Sequence, residues 1–370
     1  MHGISLEDTK HLLKFDAVRQ EVAAKHDLKN HDVVVEMSKV RITPELNLEV
    51  PNLGVFSMTD WSTKQLGTIL GIQWKKWFNP EVVTAEQVQE ELHRRFSKTG
   101  DQRKLRTSRF KPGSPGVPKC DGFLRAVLSP TYHPIDDERV FDRLEKKFGS
   151  RVEGLNFMKD SLNKKAAWGN DHCNYYTLVG APISMGDIDR KHPSDEVRKW
   201  YDVAEREGRL PKEDTIYPGF RMRNSEVGFT AITIDEFSFR LVCLNGLMIT
   251  VGDSRLMYRQ HRPIEDDLLD RQLNGVFDKI PTRWESTRQN LTKLQEIQLE
   301  DAEAVIEDRL IKLEAPKHFR EAAKKMWKEN EPLPNMYGVV QAVTRAAQTY
   351  EDMDQRFEYE ALAGKIVARA

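Results

Sequence analysis

Apolar residues recur at helical spacing in three stretches of the chain. Leu66, Ile69 and Leu70 follow Thr59 and Asp60, either of which can cap a first turn. Val140, Phe141, Leu144 and Phe148 share one face behind Asp136 and Asp137. Leu299, Ala302, Ile306, Leu310 and Leu313 form an amphipathic stripe with steps of 3, 4, 4 and 3. Further helices are predicted from about Ser5 to Ala24, from a Thr84 cap to about Phe96, and near Glu196 to Glu205. Pro316 suits the first turn of another helix, and Pro332 with Pro334 sets off a last helical region.

The pattern changes in the middle of the chain. Phe123 to Leu128 and Tyr175 to Val179 read as strands, and Val227 to Val251 is the most strand-like part. Within it, Asp235-Glu236 is the expected turn between two β-branched and aromatic runs. Val227, Phe229, Ala231 and Thr233 are expected on one face, and Thr230, Ile232 and Ile234 on the other. Apolar residues on both faces predict a central strand. Lys111 to Pro118 is a Pro- and Gly-rich loop, and residues 184–216 read as a polar insertion. The expected class is α+β: a mixed or antiparallel central sheet, helices at the N-terminus and a mainly helical C-terminal part. The expected division is 1–118 (helical, with a basic arm), 119–263 (sheet core) and 264–370 (helical).

Composition narrows the class. At 370 residues, 39% hydrophobic and 31% charged, the chain is long enough for a sizeable core and is neither disordered nor a disulfide-stapled mini-protein. No run approaches the roughly 18 apolar residues of a membrane helix, and the N-terminus lacks a signal-peptide layout. Cys120, Cys173 and Cys243 are odd in number and far apart, as in a protein of a reducing compartment. The expectation is a soluble protein of the bacterial cytoplasm, without membrane contact.

The net charge of -1 hides a split. Between Leu92 and Lys111 lie Arg94, Arg95, Lys98, Arg103, Lys104, Arg106, Arg109 and Lys111 against Asp101 alone, a balance of +7. Residues 265–314 hold thirteen acidic and seven basic residues, a balance of -6. A run that basic attracts phosphate backbones, and Phe96 and Phe110 beside it are of the type that stacks on unpaired bases. The competing reading is a solvated loop, or one paired with the acidic helices. Trp74 and Trp77 are better explained as core anchors.

No phosphate-binding loop, dinucleotide fingerprint, nucleophile elbow or zinc-protease pair is present. Asp136, Asp137 and Glu138, with Glu145 and Lys147, are the best carboxylate and lysine set for a metal-dependent nuclease. Glu145 and Lys147 are two apart on one helix and point in different directions, so a capped amphipathic helix explains them better. His172 has no zinc-spaced partner, and Glu90 with His93 has no second copy. No catalytic residue, metal or cofactor is assigned.

Three ordered blocks resemble the DUF932 family of phage and plasmid proteins. They are Phe56 to Ile72; Leu105-Arg106-Thr107 with Leu124 to Asp137; and Asn224 to Gly228 with Arg240 to Gly246 and His261-Arg262. The resemblance implies a mobile-element protein without implying a reaction. In the third block, Asn224, Gly228, Asn245 and Gly246 suit turns, and Glu226 could pair with Arg240 across a hairpin. Alternatively Arg221, Arg223, Arg240, His261 and Arg262 line one side of a phosphate groove.

The leading expectation is a non-enzymatic nucleic-acid-binding protein, acting on single-stranded DNA in replication, recombination or annealing. By analogy with sheet-based annealing proteins, a homo-oligomer is compatible with it. The alternatives are the nuclease and a non-catalytic, host-modulating interaction protein.

Overall fold

The computed structural model describes residues 12–73, 78–97, 100–149, 156–158, 172–179, 183–187, 195–206, 213–240, 247–249, 255–259, 261, 266–330 and 332–367. Their strands are β1 (Leu12–Lys14), β2 (Val33–Glu36), β3 (Arg41–Ile42), β4 (Leu48–Val50), β5 (Gly54–Met58), β6 (Gln102–Arg109), β7 (Gly122–Leu128), β8 (Asn156–Met158), β9 (Asn174–Val179), β10 (Ile183–Asp187), β11 (Glu213–Asn224), β12 (Ile232–Arg240), β13 (Leu247–Ile249) and β14 (Arg255–Arg259). The helices are α1 (Phe15–Asp27), α2 (Asp60–Leu70), α3 (Ala85–Phe96), α4 (Asp137–Phe148), α5 (Asp195–Arg206), α6 (Asp266–Glu296), α7 (Ala302–Lys312), α8 (Lys317–Asn330), α9 (Met336–Gln348) and α10 (Met353–Val367). The class is α+β, as expected. No helix among the described residues is long and apolar enough to cross a membrane.

Two sheets organise the chain. The first has the order β2-β6-β7-β5-β4-β3, antiparallel except where β5 runs parallel to β7. Helices α2 and α3 cover one face of it, burying Leu66, Leu70, Val88, Leu92 and Phe96 against Phe56, Leu105 and Leu124. Thr59 caps α2 through Ser62 N–H, and Thr84 with Gln87 forms a reciprocal capping box on α3. The second sheet follows β1-β8-β9-β11-β12-β13, with β10 on β11 and β14 on β12. Phe220, Met222, Ile232 and Ile234 of this sheet pack with Val18, Phe141 and Leu269 from α1, α4 and α6. Helices α7 to α10 enclose a third apolar core around Ile306, Leu310, Phe319 and Tyr337.

Several expectations change. The N-terminal part is not mainly helical, because β2 to β6 lie within it and β6 pairs with β7 across the expected boundary at 118. The basic run is no free arm: its first half ends α3 and its second half is β6. Within 184–216, residues 184–187 of β10 pair with residues 213–215 of β11, so the ends of the expected insertion belong to the second sheet, and α5 lies between them in the chain. The expected turn at Asp235-Glu236 is continuous strand, and residues 225–231 make the turn instead. The opening helix begins at Phe15, after β1. Trp74, Trp77 and Cys243 lie outside the described residues.

Candidate functional site

Burial sorts the basic run. Arg106 lies on the β6 face turned toward residues 225–231 and is 4% exposed. Its Nε donates to Asp32 and its Nη2 to Asp136, both at 2.9 Å, and its Nη1 donates to the Glu226 carbonyl at 2.6 Å. Burial alone would lower its affinity for a proton, but Asp136, Asp32 and Glu226 outweigh that and raise it. Lys104 donates to the Tyr132 carbonyl, and Arg103 pairs with Asp101 at 2.8 Å. Arg94, Arg95, Arg109 and Lys111 are exposed. Arg94 pairs with Glu91, while Arg95 and Arg109 donate to the backbone carbonyls of Ile69 and Asp27. Lys98 lies outside the described residues. Phe96 is fully buried and cannot stack on a base. Phe110 is half-buried, edge-to-face on Phe123 with ring centroids 4.8 Å apart.

The turn after β11 is the centre of the most connected polar cluster. Its successive carbonyls are taken by side chains from the first sheet and its helices. Tyr132 binds that of Ser225 at 3.2 Å and Arg106 that of Glu226. Trp61 and Gln65 both bind that of Val227, at 2.9 Å. Gly228 follows with φ +82°, a left-handed conformation that glycine adopts at little cost. Glu226 is 3% exposed. It accepts from Lys29 at 2.7 Å, from Arg125 at 2.8 Å and from the Asp137 backbone N–H at 2.9 Å. Burial pushes its carboxyl pKa up, but Arg125, Lys29 and Arg106 together hold it well below the usual carboxylate range.

Asp137 lies beside it and behaves in the opposite way. Its carboxylate accepts from Asn174 at 2.6 Å and from Asn224 and Tyr176 at 2.7 Å. Burial, then the neighbouring charge of Glu226, pushes its pKa up to about 7, against the pull of Lys29 and the Asn224 and Tyr176 hydrogen bonds. One carboxylate is thus held charged and its neighbour is poised to take a proton near neutrality.

The three blocks singled out in the sequence therefore meet at one place. Trp61 and Gln65 come from the first block, Arg106, Arg125, Tyr132, Asp136 and Asp137 from the second, and Asn224 to Gly228 from the third. The expected Glu226–Arg240 pair does not form: Arg240 stands opposite Ile216 at the far end of the hairpin, and Glu226 is in the turn. Asn224 does not bond its own backbone; its Nδ2 reaches the Ile135 carbonyl at 2.7 Å as well as Asp137.

Of the residues expected to line a phosphate groove, Arg221 and His261 are buried. Arg221 is buried against Glu360 at 2.6 Å, with its guanidinium 3.6 Å from the Phe357 ring centroid, on the opposite face of β11 from Met222. Arg223 is half-buried on that same face. His261 is buried and stacked on Tyr132, its Nδ1 accepts from Ile135 N–H at 3.0 Å, and burial beside Arg106 lowers its pKa to about 4. It is neutral at pH 7 and makes a poor phosphate ligand. Asn245, Gly246 and Arg262 lie outside the described residues.

The carboxylates considered for a nuclease are committed elsewhere. Asp136 serves Arg106, Glu138 faces Arg19 and His26, Glu145 faces Arg19, and Lys147 pairs with Asp278. Among the described residues, no group of three or more His, Cys, Asp or Glu side chains could hold a metal ion.

Lys29, Asp32, Asn174 and Tyr176 escaped the sequence reading. Arg125 left a signal there, as the one charge inside the apolar strand Phe123 to Leu128. A lone charge in such a run needs a buried partner.

The fold and site define an α+β protein in which a turn of one sheet is locked by charge onto the face of another. Residues 191–361, a little under half of the chain, match the family described as a domain of unknown function, DUF932. The match includes the third block and leaves the first two outside it. No curated protein and no solved structure matches the chain.

Proposed function

We propose that the protein is a non-catalytic nucleic-acid-binding protein of a phage or plasmid, acting on single-stranded DNA through the exposed part of its basic run. The observation behind this reading is the set of cations left over once the buried ones are assigned to the fold. Arg95, Arg109 and Lys111 are exposed and have no carboxylate partner among the described residues, and Arg94 is exposed beside them. Arg94 and Arg95 lie in the last turn of α3, while Arg109 ends β6 and Lys111 follows it. Cations carried on separate elements suit a flexible chain of phosphates better than a single small anion. The contacts are electrostatic, which fits strand binding without sequence readout.

Titration of labelled single-stranded DNA at several salt concentrations tests this. Replacing Arg94, Arg95 and Lys111 together by Ala should reduce the log–log salt slope by about two units, at about 0.7 per phosphate contact. An unchanged slope would sink the proposal. Magnesium-dependent cleavage in the same assay would favour the nuclease instead.

A further inference from the structure

The charged turn borders a cavity of about 130 Å³, lined among others by Lys25, Lys29, Ser108, Arg125, Asp137 and Asn174. That is room for several waters, and hence for one tetrahedral oxyanion. Its lining holds three cations and two carboxylates, beside Val22 and Leu28. Lys25, Lys29 and Arg125 stand against Glu226, whose two oxygens are already filled by Lys29, Arg125 and the Asp137 N–H. Arg106 and Asp136, just behind, balance each other.

Donor capacity remains. Arg125 is 9% exposed and spends Nη2 on Glu226, yet its Nη1 is buried without a partner among the described residues. A buried guanidinium N–H left unpaired is costly, so a ligand that accepts from it removes that cost. The Ser108 side chain makes no hydrogen bond among the described residues, and Lys25 of the lining is exposed.

The geometry points to an oxyanion-binding site in this cavity, taking a sulfate- or phosphate-like group with Arg125, Lys25 and Ser108 as its donors. Asp137 makes the site sensitive to protons. The groups facing it are Lys29 from the segment after α1, Tyr176, Asn174 and Cys173 from β9 and its approach, and Asn224 and Glu226 from β11 and its turn. A protonated Asp137 adds no charge to repel an anion; an ionised one opposes it. This inference is independent of the strand-binding reading, which uses different cations.

Calorimetric titration of the full chain with sulfate tests it, because sulfate keeps a constant charge from pH 5.5 to 8.5. Chloride at equal ionic strength is the control. One saturable site is expected, weakened roughly tenfold by Lys25→Ala and measurably by Ser108→Ala. Both positions are accessible enough that the circular dichroism spectrum should not change. Affinity should fall by up to about tenfold per pH unit above neutrality, and Asp137→Asn should flatten that dependence. Competition by a 5′-phosphorylated oligonucleotide, and not by its 5′-hydroxyl counterpart, would assign the oxyanion to a nucleic-acid end; no difference between them would assign it to a free anion. Absence of saturable heat overturns the site, as does wild-type affinity in both the Lys25 and Ser108 variants. A pH dependence that persists in Asp137→Asn removes the role of that carboxyl. Loss of sulfate binding with intact salt-dependent DNA binding, or the reverse, separates the two proposals.

Discussion

The bundle of α7 to α10 and the junction between the two sheets are buried to similar depth by opposite means. In the bundle, Ile306, Leu310, Ala323, Val340 and Ala346 are fully buried, and Phe319 stacks on Tyr359 at 4.1 Å. In the junction, Arg106, Arg125, Asp137 and Glu226 are each at most 9% exposed. Apolar contacts are non-directional and numerous, so the bundle degrades in proportion to the volume lost. The junction is held by charges that are costly to bury singly, so its stability depends on the set being complete. The first region can be repaired by any side chain of the right size, and the second only by a matching partner.

The largest expected effect comes from breaking the junction. Glu226→Ala leaves Lys29 and Arg125 without their carboxylate, and losing one partner of a buried pair costs about 3–5 kcal/mol. Urea unfolding, or loss of soluble protein, reads this directly, and replacing Arg125 by Met in the same chain should restore part of it. A loss below about 1 kcal/mol would show that the junction is not held by charge. In the bundle, Leu310→Ala should cost about 2–5 kcal/mol through the cavity it leaves, and by the same amount at pH 5 and pH 8. A pH-dependent loss there would blur the contrast between the regions.

The smallest effect sharpens the contrast through its sign. Folded Asp137 titrates at about 7 and the unfolded carboxyl near 3.9. Between those values the folded chain holds more protons, so this group's contribution to stability is lost as pH rises, by at most about 1.4 kcal/mol per unit. His261 acts in reverse: folded, it titrates at about 4, so its contribution is lost as pH falls below roughly 6.5. Unfolding of Asp137→Asn between pH 5 and 6.5 should therefore show stability rising more steeply with pH than in the unsubstituted chain. An unchanged slope would mean that Asp137 carries its charge throughout that range.

The same contrast decides what the sequence could reveal. The stripe through Ala302, Ile306 and Leu310 and the face of Val140, Phe141 and Leu144 are helix faces in the structure, because a helix writes its buried side at a fixed local period. Thr59 and Thr84 cap their helices for equally local reasons. Strands β6 and β11 were hidden, since QRKLRTSR has Leu105 as its single apolar residue and β11 contains Pro218 and Gly219. Their cations look solvated until the partners are known. Arg106 meets Asp136 and Glu226, and Arg221 meets Glu360 139 positions away, and no periodicity encodes such distances. The residues of the junction were visible as blocks, but their meeting point was not.

The separation of Arg125 from Glu226 has a consequence for how the chain is made. The two are 101 positions apart, and ribosomes add about 5–20 residues per second. Arg125 therefore emerges roughly 5–20 s before the carboxylate that completes the set, and Lys29 and Arg106 emerge earlier still. For that interval the first sheet can close its apolar side against α2 and α3, while its other face waits, positively charged, for a turn that has not yet been translated.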